Sequence, residues 1–108
     1  MEKLVYDMVL INRIKPTIKK LYKTSEPIIN YFNRQGSHPE MVMVSVLLQN
    51  ACVSDNLDVI KNISSLIKGV ADYEVENHVI SWISNELDFT IMGETATLDY
   101  EIENKDES

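Results

Sequence analysis

Residues Met41 to Val53, Met-Val-Met-Val-Ser-Val-Leu-Leu-Gln-Asn-Ala-Cys-Val, are the driest stretch of the chain: ten of thirteen are apolar and none is charged. Crossing a bilayer takes about 20 apolar residues, so the run is too short to span one. It is expected instead to be a buried element on which the rest of the domain packs. Ser37-His38-Pro39-Glu40 precedes it: a hydroxyl followed three residues later by a glutamate, with proline in the first turn. That is a capping box, and it predicts a helix starting at Ser37. Val42, Val44, Val46 and Val53 favour a strand, but thirteen residues would make an unusually long one.

Upstream, Leu4, Val5, Met8, Ile11, Ile14, Ile18, Leu21 and Tyr22 recur at intervals of three and four, the stripe of an amphipathic helix. Pro16 predicts a kink within it. Thr24-Ser25-Glu26-Pro27 reads as the start of a second helix through Ile28, Ile29, Tyr31 and Phe32, stopped by Gly36. Downstream, Asp55 is the expected cap of a helix carrying Leu57, Ile60, Ile63 and Ile67 and closed by Gly69. Asp72 then opens another, with Val75, Val79, Trp82 and Ile83 turned inward. Caps at 37, 55 and 72 have the rhythm of short antiparallel helices.

Beyond Leu87 the pattern changes. Phe89, Ile91, Ala96, Leu98, Tyr100 and Ile102 alternate with polar residues, a period of two. A turn at Gly93-Glu94 would pair Ile91 with Ala96, Phe89 with Leu98 and Leu87 with Tyr100, placing every apolar side chain on one face. The expected fold is therefore mainly α: a compact bundle of about five short helices with a C-terminal two-stranded β-hairpin (about 87–102). Residues 1–102 would form one domain, and 103–108 a disordered, mobile acidic tail.

A length of 108 residues suits a single core. Cys52 is the lone cysteine, which rules out an intramolecular disulfide and favours a reducing compartment. The first residues carry Glu2 and Asp7 and no small-residue cleavage pattern, so no secretory signal is read and a cytoplasmic location is expected. There is no phosphate-binding glycine loop, no paired-cysteine spacing and no His-Glu-x-x-His pattern. The expectation is a protein that is not an enzyme, with no cofactor and no metal. His38 and His78 are read as structural or solvated, and Cys52, in dry surroundings, as inert.

Charge is what remains to suggest a function. Residues 1–36 hold seven Lys and Arg against three acids, net +4, and residues 37–108 hold three against fourteen, net −11, which together make the formal −7. Glu94, Asp99, Glu101, Glu103, Asp106 and Glu107 crowd the C-terminus. With Asp88, they predict an acidic face, Asp88, Glu94, Asp99, Glu101 and Glu103, that docks on a basic protein. The alternative is a nucleic-acid-binding or transcription-regulatory protein whose phosphate contacts come from Arg13, Lys15, Lys19, Lys20 and Lys23. A third is a structural subunit that forms a homo-oligomer through the hairpin edge or the first helix. No membrane partner is expected.

Asp55 to Lys61 with Lys68 to Asp72 resembles the second helix and closing turn of an ankyrin repeat. The match covers about eighteen residues, lacks the Thr-Pro-Leu-His opening and has no second copy where such stacks need about three, so a repeat fold is not expected. In overall profile the chain is similar to bacterial toxin-immunity proteins and phage-encoded inhibitors. That likeness of type implies an inhibitor, immunity protein or antitoxin that covers a basic toxin, nuclease or defence protein.

Overall fold

A computed structural model describes the backbone of residues 1–107 and the side chains of residues 1–105. It contains four helices and, among the described residues, no strand: α1 (Lys3–Gln35), α2 (Pro39–Val53), α3 (Leu57–Tyr73) and α4 (His78–Glu107). Each packs on its sequence neighbour, and α4 returns to α1, which leaves α2 and α4 on opposite corners of the bundle. At 1.5 Å per residue α1 spans about 50 Å, nearly the full 57 Å length of the molecule.

The two helices expected on either side of Thr24 are one. Pro16 and Pro27 both lie inside α1, and neither is buried. The carbonyls they leave without a donor, at Asn12 and Lys23, share that solvent side and can bond to water instead. Ile14, Ile18, Leu21 and Ile29 stay buried on the other side of the helix, so the stripe is uninterrupted. Gly36 ends α1, but with extended backbone, φ 176°, and not the left-handed turn expected of it.

The other boundaries shift by a residue or more from those expected. His38, not Ser37, occupies the N-cap of α2, and no side chain caps it. Asn56 caps α3, its Oδ1 accepting from the amides of Asp58 and Val59 at 2.9 and 3.2 Å. α3 passes through Gly69 and Asp72 to Tyr73. Asn77 Oδ1 then accepts from Ile80 N at 3.1 Å at the start of α4.

The predicted β-hairpin over 87–102 is wrong, because those residues belong to α4. Leu87, Ile91, Leu98 and Ile102 make one helical stripe, turned inward on the core, with Leu87 and Leu98 at most 2% exposed. Phe89, Met92, Ala96 and Tyr100 make a second stripe, turned outward. Two stripes interleaved along one helix imitate alternation, which explains the false period. Thr95, just past the expected Gly93-Glu94 turn, lies within the helix and donates its hydroxyl to the Ile91 carbonyl at 2.7 Å. The helix continues through 103–107, expected as a disordered tail; Ser108 lies outside the described residues.

The core is a single cluster drawn from all four helices, with Leu10, Ile14, Val44, Leu48, Ile60, Ile67, Ile80 and Ile83 fully buried. α2 and α3 are about half as long as α1 and α4. Their junction reaches α1 near Ile11, Lys15 and Lys19, where Asp55 shares a shallow depression with those residues. The first turns of α1 extend past it, leaving Leu4 and Met8 exposed although they continue the stripe of Ile11 and Ile18.

Candidate partner-binding surface

The five predicted acidic residues do not share one face. Glu94 and Glu101, seven residues and two turns apart, lie on the side of α4 beside α1. There Arg13 Nη2 meets Glu101 Oε2 at 2.7 Å, and this bond holds the guanidinium above its ordinary pKa, with Glu94 adding to the effect. Asp88 and Asp99, eleven residues and three turns apart, lie on another side of the helix, and Glu103 follows Asp99 by one turn. Tyr6 donates its hydroxyl to Asp99 Oδ1 at 2.7 Å, and that bond, first among its causes, raises the phenol's pKa.

The predicted phosphate-binding strip is also divided. Arg13 is engaged by Glu101, and Lys15 donates its ammonium to the Cys52 main-chain carbonyl at the end of α2. Lys19, Lys20 and Lys23 remain exposed. Two of the five cations expected to meet a polyanion are thus spent inside the molecule, one of them on an acid expected to meet a basic partner.

Hydropathy summed along the chain conceals what the structure exposes. On α4, Phe89 is 72%, Met92 61% and Tyr100 65% exposed, and Trp82, one heptad before Phe89, is 37% exposed. Gly93, beside this stripe, has nothing within 4 Å of where a Cβ would stand. Asp88, Asp99 and Glu103 border the stripe on one side. Phe89 and Tyr100 are the anchors that sequence reasoning misses, because the alternating pattern puts both on the packed face of a hairpin.

The dry run that leads the sequence is a helix, as expected, but it is not buried all round. Met41, Val44, Leu48 and Ala51 face the core, whereas Val42, Met43, Val46 and Val53 are 47–74% exposed. Between α2 and α3 lies an open groove of 540 Å³ lined by Pro39, Met43, Leu66, Gly69, Val70 and Tyr73, with Glu40 and Glu74 at one end. Glu40 lies 3.4 Å from His38 Nδ1.

Cys52 is half-buried, and burial pushes its thiol up while the charges of Lys15 and Lys19 pull the other way. Among the described residues no three of His, Cys, Asp and Glu gather as a metal site would require. No helix there is long and apolar enough to cross a membrane. Compared with protein-family models, with curated proteins and with solved structures, the chain matches none.

Proposed function

We propose that the chain is a small non-catalytic protein-binding module, of the inhibitor or immunity type, that docks on a basic protein through the outward face of α4. The observation that carries this reading is the exposed stripe Phe89, Met92, Ala96 and Tyr100 bordered by Asp88, Asp99 and Glu103. Large aromatic side chains that lose water on docking supply most of the affinity of such interfaces. A carboxylate border draws in Lys- and Arg-rich surfaces and rejects acidic ones. The face suits a partner segment that alternates apolar anchors with cations, such as a basic amphipathic helix.

The test is capture of a basic partner by the immobilised protein, with the partner identified and its affinity measured by titration calorimetry. Phe89→Ser is expected to abolish binding, and Asp88→Lys with Asp99→Lys to weaken it at least tenfold at low salt. Affinity indifferent to all three substitutions would overturn the reading. The rival phosphate-binding reading rests on the exposed Lys19, Lys20 and Lys23. A filter-binding titration against duplex DNA separates the two, because phosphate contacts give affinity that falls steeply with salt.

A further inference from the structure

Independently of the α4 surface, the groove between α2 and α3 has the two-part character of a ligand site. Pro39 and Glu40 begin α2, Tyr73 and Glu74 end α3, and all four line the groove. One end is therefore acidic, and the other, at Met43 and Leu66, is apolar with Ser65 beside it. Gly69 lies between them with nothing within 4 Å of where a Cβ would stand, which keeps the space open. No Lys, Arg or His lines the groove. α3 has no basic residue in its last turn, where the helix dipole is negative. Lys68 is paired with Asp72 outside the groove, and among the described residues no lysine or arginine pairs with Glu40 or Glu74. Glu40 has only His38, 3.4 Å from its carboxylate, and its side chain is 21% exposed, so salt screens it less than a fully exposed acid. Lys15 serves the end of α2; the end of α3 has no such cation.

We infer that the groove binds a small organic cation, its ammonium at Glu40 and Glu74 and its apolar body, a ring or branched chain, against Met43, Leu66 and Val70. Charge decides the sign. An anion would meet two carboxylates and the negative end of α3, and a neutral ligand would leave the half-buried Glu74 without a partner. Size decides for a small molecule. The volume of 540 Å³ falls within the roughly 300–1,000 Å³ of small-molecule sites. α2 lines it only from Pro39 to Met43, and α3 from Ser65 to Glu74, a length of about 14 Å. A docked helix needs a groove that holds anchors over several turns. A second copy, at net −7, is repelled at long range. Met43 adds a side chain that adapts to the shape of a bound ring, and an ammonium near Tyr73 is attracted by the face of its ring.

Phenylbutylamine titrated into the isotope-labelled full chain, with amide chemical shifts as the readout, tests the inference. The expected result is saturable shifts confined to residues 40–43 and 65–74, with millimolar or tighter affinity. Phenylbutanol, the same body without the charge, is expected to bind at least fivefold more weakly, and phenylbutanoate not to saturate. Glu40→Gln/Glu74→Gln is expected to bring the amine level with the alcohol. Gly69→Leu, whose side chain fills the groove, is expected to abolish binding with helix content unchanged by circular dichroism. The absence of saturable shifts at these residues overturns the inference. So does amine affinity that is indifferent to the glutamate substitutions, matched by phenylbutanol, or retained in folded Gly69→Leu. A Lys- and Leu-rich helical peptide that saturates the same residues at lower concentration than the amine would assign the groove to a protein partner. Shifts there on dilution of the free protein would assign it to a second copy, and either result overturns the inference.

Discussion

Lys15 of α1 donates to the main-chain carbonyl of Cys52, in the last turn of α2. α2 has no basic residue of its own in that turn, where the helix dipole is negative and several carbonyls lack an intrahelical partner. A neighbouring helix thus supplies the cation that the sequence of α2 omits.

Lys15→Met keeps the aliphatic stem and removes the charge, and is expected to destabilise the fold by about 1 kcal/mol in urea unfolding. Amide protection at Val53 and Ser54 should fall with it, since the amide of Ser54 bonds the Asn50 carbonyl in the same turn. Unchanged stability would mean that the bond contributes nothing net.

The helix caps give a sharper test, because neighbouring residues are expected to differ. Asn56→Ala and Asn77→Ala should each cost about 1 kcal/mol, since each amide oxygen satisfies helix N–H groups. Ser37→Ala, Asp55→Ala and Asp72→Ala, at the positions expected from the sequence to be caps, should each fall within about 0.5 kcal/mol of the parent. Thermal unfolding of the five variants decides between the two sets.

This contrast shows where the sequence is legible. The stripes of Ile11, Ile14, Ile18 and Leu21 and of Leu57, Ile60, Ile63 and Ile67 name residues that are buried, because a period of 3.6 is written directly into the spacing of apolar positions. Asp55 and Asn56 are both good caps, and only the path of the backbone selects between them. The hairpin reading fails because an inward stripe ending in Leu98 and Ile102 and an outward one ending in Ala96 and Tyr100 interleave. The outer face of α2 is hidden for another reason: hydropathy says that Val42 and Val46 are apolar, but not that no other helix reaches that side. Pairing of Arg13 with Glu101 is out of view because the two stand 88 residues apart.

Tyr6 and Asp99 predict a pH dependence. The phenol's pKa is raised in the folded state by its bond to Asp99, so the protonated form is the one favoured by folding. Its contribution is therefore complete below the unfolded phenol value of about 10 and is lost as pH rises through the higher folded value. Tyr6→Phe should cost up to about 1 kcal/mol near neutral pH. The gap between parent and variant should narrow above pH about 10, where unfolding at matched pH would measure it. A gap that widened there would contradict the assignment.

Gly69 and Gly93 lie inside α3 and α4. Neither has an atom of another element within 4 Å of where a Cβ would stand, and neither adopts a positive φ that would need glycine. Within a helix, glycine costs backbone entropy that alanine does not. Gly69→Ala and Gly93→Ala should therefore each raise stability by about 0.5–1 kcal/mol, additively because the sites lie on different helices. Thermal melting of the single and double variants checks this. Their effects on association should differ: Gly93 borders the aromatic stripe of α4, and Gly69 lines the groove beside α2. A methyl group at 93 that strengthened the fold while weakening capture of a basic partner would show that the glycine is kept for close approach at that face, at a cost in stability. A methyl group at 69 leaves that capture unchanged if docking uses α4 alone.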